Sequence, residues 1–422
     1  MKTDADAIAS TVLEEFNKLP AKRKPCVRDN GLHEWVPLSG IVAKGPGDSL
    51  KCLALATGMK CLPASKIPHA RGVAVHDWHA EVLAIRAFNH FVLEECRQLA
   101  LGIKPSQFLR RRSTPEIAAQ KGESGTRESW HGQPYAWKED VTLHMYCSEA
   151  PCGDASMELI MAAQDDASPW DVPTSLAETD CEVQAAQRSL PGRAYFSQLG
   201  VVRRKPARGD APPSMSKSCS DKIALKQCTS LLSSLTALLV SPEGVYLESL
   251  ILPASQFSAV ACCRSFSTEG RMSSMTSRHW AGGYSFVPFR VETTTEEFHS
   301  SKRAVAARSD KTSASNLAVA WSSHGLDEGL VGGVLQGRKQ FDLKGASRLS
   351  RRRTWSLAVE ISRLCSDHSD EDAMIHGPLA AQTYKKVKES ELLRDRCRVK
   401  RDVREHALTG WLRNTGDEDF GL

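Results

Sequence analysis

The chain contains no apolar run long enough to cross a bilayer, so a helical membrane anchor is not expected. Residues 1–16 place Lys2, Asp4, Asp6, Glu14 and Glu15 among short apolar pieces and lack the continuous apolar core of a signal peptide. A cytosolic or nuclear location is therefore expected, with no membrane partner and no obligate protein partner evident. The sequence also lacks an even cysteine count: there are 13, which cannot all pair within one chain. In a reducing compartment most are expected to be free thiols, with any clustered few serving as metal ligands. No repeat of solenoid length is present. Nor is there a strong excess of one charge, since 55 Lys and Arg face 50 Asp and Glu. That mildly basic balance is compatible with a nucleic-acid partner but does not require one.

What is present is a composition typical of globular proteins, with 41% hydrophobic and 25% charged residues in 422. This length suits one large domain or two ordinary ones. Polar stretches near 104–140, 162–195, 265–283 and 293–315 read as surface insertions into one domain, because the chemical motifs lie on both sides of them. The expected division is an N-terminal segment, 1–39, followed by a domain over 40–422. Val82, Ile85, Phe88, Val92, Cys96 and Leu99 recur at spacings of three and four, predicting an amphipathic helix from Glu81 to Leu99. Val141 to Cys147 alternates as a half-buried strand, and Pro151 is a suitable first residue for the helix that follows. Ile223 to Leu235 traces a further helix face, and Val245 to Leu252 a largely buried strand. Strands alternating with helices predict a layered α/β domain.

Three short segments carry chemistry: Asp77-Trp78-His79-Ala80-Glu81, Pro151-Cys152-Gly153-Asp154 and Ser218-Cys219-Ser220-Asp221-Lys222. Each candidate ligand stands at or just before an expected helix N-terminus, where the helix dipole favours thiolate. One imidazole and two thiolates suit Zn²⁺, and three protein ligands leave the fourth tetrahedral position to water, as in catalytic sites. Glu81, two residues past His79, is placed to act on that water without binding the metal. This division of labour is that of zinc base deaminases, whose signature pairs H-x-E with P-C-x-x-C. Here Ala155 stands where the second cysteine of that signature would be. Cys147 is close in sequence but lies on the preceding strand. Cys219, which repeats the helix-start setting of Cys152, is the better candidate. Taken singly, His79 reads as a helix cap and the cysteines as packing residues; their joint pattern favours a site.

These segments, with Lys205-Pro206-Ala207-Arg208-Gly209-Asp210, resemble the RNA adenosine deaminases, and within them the branch acting on tRNA. The resemblance runs from about Gly40 to the C-terminus. It implies a cytidine-deaminase-like fold, a mixed β-sheet flanked by helices, and a third metal ligand after S-C-S-D-K. It also implies hydrolysis of adenosine to inosine in tRNA, at position 37 beside the anticodon of alanine tRNA. The first 39 residues are too few for a double-stranded-RNA-binding module, which favours tRNA over long duplex RNA. An anticodon loop also offers its bases unstacked. Other RNA, free nucleosides, or a non-catalytic RNA-binding relic are the competing readings; Glu81 argues against the relic.

The basic C-terminal third reads by composition as a solvated face or an RNA patch. The resemblance implies instead that inositol hexakisphosphate is enclosed beneath the metal. The positions carried over are Arg86, Lys222, Arg351, Tyr384, Lys388, Lys400 and Trp411, with Asp77 linking polyanion and metal. Ile85 and Leu225 depart from the arginines often found at two further family positions. RNA contacts are expected at Arg203, Arg204, Lys205 and Arg208, in a basic loop upstream of Cys219.

Overall fold

The computed structural model describes residues 3–123, 129–164, 168, 190–191, 195–205, 211–366 and 370–422. Its centre is an eight-stranded sheet. We number its strands β1 (Leu38–Lys44), β2 (Leu50–Thr57), β3 (Thr142–Cys147), β4 (Leu247–Pro253), β5 (Arg290–Thr294), β6 (Ala318–Ser322), β7 (Leu326–Val331) and β8 (Val334–Leu335). The spatial order is β5-β4-β3-β1-β2-β6-β7-β8. β3, β4 and β5 run parallel, whereas β1 pairs antiparallel with both β3 and β2, and β6 to β8 continue antiparallel. The sheet is thus mixed and flanked by helices, as expected.

Period-two alternation divides the strands between two cores. Ile41, Leu143, Met145, Leu250 and Leu252 join the larger cluster, with Leu83, Phe88 and Phe91 of helix α2 (Ala80–Ala100). Val42, Leu55, Tyr146 and Ile251 face the smaller cluster, covered by Ile8, Val12 and Phe16 of α1 (Asp4–Lys18). Residues before 40 therefore contribute a helix to the packed body, and β1 itself begins at Leu38.

The remaining helices used below are α3 (Met157–Ala162), α4 (Cys219–Thr229), α5 (Ala259–Phe266), α6 (Arg351–Ser366), α7 (Tyr384–Lys388) and α8 (Arg394–His406). Two boundaries differ from expectation. Pro151 is not helical: the turn after β3 holds a 3₁₀ segment, Asp154–Ser156, before α3 begins. The helix expected to reach Leu235 ends at Thr229, because Ser230 takes a left-handed conformation (φ +56°). The apolar spacing survives that break because Leu231, Leu232 and Leu235 stay buried in an irregular connection.

The polar stretches are less superficial than their composition implies. Phe108, Tyr135 and Trp137 of 104–140, Phe266, Met272 and Met275 of 265–283, and Phe298 of 293–315 are all buried. Short apolar elements spaced irregularly within polar sequence leave no periodic trace. Most of 162–195 lies outside the described residues.

Candidate active site

His79 is the N-cap of α2, and its position is fixed by backbone pairing on both sides. Trp78 donates its N–H to the Lys60 carbonyl (3.0 Å) and Ala80 to the Gly58 carbonyl (2.8 Å), so segment 76–80 runs along the extension of β2. The His79 N–H is itself capped by Asp77 Oδ1 at 3.1 Å. Cys219 opens α4 after Ser218, whose hydroxyl accepts the Asp221 N–H at 3.1 Å in N-cap fashion. Cys152 follows the carboxyl end of β3, in the turn before the 3₁₀ segment.

Ser220 stitches the two cysteine segments together. Its N–H reaches the Cys152 carbonyl (3.0 Å), its hydroxyl donates to the Pro151 carbonyl (2.9 Å), and the Ala155 N–H donates back to it (3.1 Å). Gly153 makes the approach possible. It has φ +104°, and a Cβ there would lie 2.3 Å from the Ser218 hydroxyl. The aspartates of both motifs are anchors. Asp154 is fully buried and accepts from Arg264 Nε (2.9 Å) and Ser265 (3.0 Å) of α5. Asp221 accepts from Arg271 Nη1 (2.6 Å) within the 265–283 stretch.

These constraints bring His79, Cys152 and Cys219 together, with their ligand atoms all within 4.8 Å of one another. The Cys152 sulfur faces His79 Nδ1 at 3.8 Å and accepts the Cys219 N–H at 3.4 Å. Cys147, by contrast, is buried against the Ser39 hydroxyl, away from the cluster. Cys152 is held well below the ordinary thiol value, first by its hydrogen bond with Cys219 and then, against the cost of burial, by Lys205 and His79. Burial and that same hydrogen bond push Cys219 up. One nitrogen and two sulfurs so disposed are the donor set of a Zn²⁺ site with three protein ligands. Glu81 is buried in the first turn of α2. Its carboxyl is pushed above its ordinary value by burial and then by Cys152, with His79 and Lys205 pulling the other way.

Behind the sulfurs lies a relay that the sequence places in part. Segment 203–205 pairs with 216–218: Lys205 donates its N–H to the Ser216 carbonyl (2.7 Å), and Ser218 to the Arg203 carbonyl (2.8 Å). This carries Lys205 Nζ to 3.2 Å from Cys219 Sγ and 2.9 Å from Asp77 Oδ2. Lys222 also pairs with Asp77. Burial opposes charge on Lys205, yet Asp77 and the cysteines raise it well above its ordinary value. Burial likewise works against Asp77, and Lys205 and Lys222 overcome it to hold its carboxyl well below the usual range. Lys205, expected as an RNA contact, is instead buried and turned inward onto Asp77 and Cys219. Arg203 is corrected in the same way: it is 1% exposed, and its guanidinium donates to the Tyr195 carbonyl at 2.9 Å. Arg204 is half-buried, and Arg208 lies outside the described residues.

Lys222 opens onto a cavity of about 1260 Å³ between α4, α6, α7, α8 and the segment after α8. Six of the seven carried-over positions line it: Lys222, Arg351, Tyr384, Lys388, Lys400 and Trp411. Arg86 is not part of the wall but is coupled electrostatically to Arg351 and Tyr384. Eleven lysines and arginines line the cavity against four glutamates. Burial lowers Lys388 to about 7, and Arg396 and Arg351 add to the shift. Burial, then Lys222, does the same to Lys217. Lys217, placed 5.9 Å over the Trp411 ring, and Arg404, at 5.4 Å, were missed by sequence reasoning. Lys217 is buried and Lys222, Arg351, Lys388, Lys400 and Arg404 are half-buried, so this excess of positive charge favours an anionic partner.

Residues 54–415 match the family described as "Adenosine-deaminase (editase) domain". The chain belongs to that family. Among its relatives, tRNA-specific adenosine deaminase 1 of Schizosaccharomyces pombe is 32% identical over 417 residues, covering 97% of this chain and 95% of the relative. The protein of the same name in Saccharomyces cerevisiae is 33% identical over 255 residues, 59% of this chain and 58% of the relative. The double-stranded RNA-specific editase B2 of Mus musculus is 27% identical over 256 residues, 59% of this chain and 30% of the relative. The editase-domain match spans all three metal-ligand candidates and Glu81, and the basic cavity up to residue 415. Among the described residues, no helix of this editase-family chain is long and apolar enough to cross a membrane.

Proposed function

We propose that the protein is a zinc-dependent hydrolase that converts adenosine to inosine in tRNA, at position 37 of alanine tRNA. The observation that carries this reading is the His79–Cys152–Cys219 cluster with buried Glu81 on the adjoining helical turn. The similarity to the fission-yeast tRNA deaminase along nearly the whole chain supports tRNA as the substrate.

His79, Cys152 and Cys219 would hold the zinc. When bound, Zn²⁺ supplies Lewis acidity that makes water nucleophilic near neutral pH. Glu81 takes one proton from the attacking water and delivers it to the purine ring nitrogen, then passes the second, from the hydroxyl added at C6, to the departing amine. Water's oxygen becomes bonded to C6, the C6–N bond breaks, and ammonia leaves. Lys205 and Asp77 hold the Cys219 side of the site. The charge on Lys205 offsets the second thiolate.

The basic cavity is assigned to inositol hexakisphosphate. Its support is the excess of cations over carboxylates and the identity of the lining residues. In this reading, Lys222 touches both the cavity and Asp77, so one side chain joins the polyanion to the metal relay.

The decisive experiment incubates the protein with transcribed alanine tRNA and a scrambled-loop control, then sequences for A-to-G conversion. Conversion at position 37 alone is expected. Glu81→Ala should retain zinc and make no inosine, whereas Cys219→Ala should lose both. Activity surviving in Glu81→Ala would remove the mechanism, and equal conversion of the scrambled loop would remove the tRNA assignment.

A further inference from the structure

The site described so far leaves unexplained why segment 416–422 is so firmly bound. The Asp417 side chain is fully buried. Its carboxylate accepts the Gly72 N–H (2.6 Å), His76 Nε2–H (2.6 Å) and Arg351 Nη1 (3.3 Å), and its carbonyl accepts from Arg351 as well (2.6 Å). Burial pulls the His76 pKa down to about 4, so this imidazole donates as a neutral group. Three residues further, the Phe420 ring stacks on Tyr384 (5.3 Å, 11° between planes) and meets Trp355 edge-on at 6.0 Å. The Arg352 guanidinium lies 5.3 Å from the Phe420 centroid. The ring sits so close to Gly72 that a Cβ there would lie 2.2 Å from it. Main-chain bonds complete the attachment: Tyr384 donates to the Phe420 carbonyl and Lys385 to the Glu418 carbonyl, both at 2.9 Å.

Two different structures meet on this segment. Arg351 and Tyr384 form part of the cavity wall. His76 leads into the extended stretch that continues through Asp77 and Trp78 to His79, and Gly72 lies in the turn just before it. Three residues of chain reach roughly 10 Å at most, and the stretch is already held along one side, where Leu62 donates to the His76 carbonyl and Trp78 to Lys60. Asp417 fastens the other end of that stretch to α6.

We propose that segment 416–422 is a positioning clamp for the metal site, with Asp417 and Phe420 as the positioning residues. It fixes the cavity wall against the stretch that carries Asp77 and His79. Neither residue touches substrate or reacting atoms. They act by holding His79 in register with the two cysteines. The inference rests on the metal-dependent reading of that cluster.

The test compares Asp417→Asn and Phe420→Leu with Val12→Ala, a core variant in α1 on the opposite face of the sheet. Phe420→Leu keeps an apolar side chain and loses the ring stack, so the result does not depend on one variant folding. Three quantities are measured: melting temperature, the rate of zinc loss to a chelator, and kcat and KM for tRNA. The clamp variants should lose zinc faster and show kcat reduced about 10-fold or more, the usual scale for residues supporting metal ligands. KM should stay unchanged. Val12→Ala should melt lower with zinc loss and kcat near wild type. Clamp variants that lose zinc and kcat no more than Val12→Ala, at equal melting temperature, overturn the proposal. Zinc is first assayed in the unmutated protein. Its absence there would refute the metal reading itself, and with it the clamp, independently of any variant.

Discussion

At the scale of single residues, the strongest departure from expectation is Lys205. Removing one member of a buried ion pair leaves the other desolvated and costs about 3–5 kcal/mol. Asp77 would retain Lys222, so Lys205→Ala should fall near the low end, at about 3 kcal/mol, with reduced zinc occupancy. If Lys205 instead contacted phosphate, the variant would flatten the dependence of tRNA affinity on salt. We expect an unchanged salt slope together with a lowered melting temperature and metal content. Titrations at several salt concentrations, beside a metal assay, decide between these roles. The sequence could not separate them, because Arg203-Arg204-Lys205 looks like any basic loop. What turns it inward is pairing with 216–218, a contact between short segments that have no hydrophobic pattern. The His79–Cys152–Cys219 cluster was legible for the opposite reason. His79 and Cys219 sit at helix starts that apolar spacing marks, and Glu81 is tied to His79 by the helix itself.

At the scale of elements, the metal cluster depends on two loops coming closer than ordinary side chains allow. Gly153 is the point of closest approach, with Ser218 against its Cα. Gly153→Ala meets both a steric clash and a positive φ that residues with a Cβ rarely adopt. Because Ser218 is the cap immediately preceding Cys219, the strain falls on the Cys152–Cys219 separation and not on the sheet. The expected outcome is a protein with native far-ultraviolet circular dichroism but at least tenfold weaker zinc binding, read by competition with a chromogenic chelator. Wild-type affinity would show that the loops separate without moving the sulfurs. The helix and strand order was legible because α2, β3 and β4 carry clear periods. The elements of 104–140 and 265–283 were not, although the latter supplies Arg271 to Asp221. Their buried aromatics and methionines are scattered through polar sequence, and only the tertiary fold shows which of them face inward.

At the scale of the whole molecule, the basic cavity makes stability a function of pH and of ligand together. Lys388 and Lys217 have folded-state pKa values of about 7, against an ordinary lysine value of 10.5. Between those values the unfolded chain binds protons that the folded chain does not, so stability must rise with pH across this window. Below about 7 both states are protonated and the full penalty of crowding these cations is present. Lys400 and Lys226, also depressed by burial and neighbouring cations, act in the same direction. A polyanion in the cavity reverses the logic, since it favours the charged lysines and binds the folded chain alone. Protein stripped of inositol hexakisphosphate should therefore melt at a higher temperature at pH 9.5 than at pH 7. Saturated protein should show the opposite order, with a gain at pH 7 of about 2.7 kcal/mol when the ligand is at 100 times its Kd. Mass spectrometry of denatured, freshly purified protein establishes which of the two forms is being melted. A melting temperature that ignores both pH and added inositol hexakisphosphate would mean that the cavity cations are satisfied by solvent, and the polyanion assignment would fall.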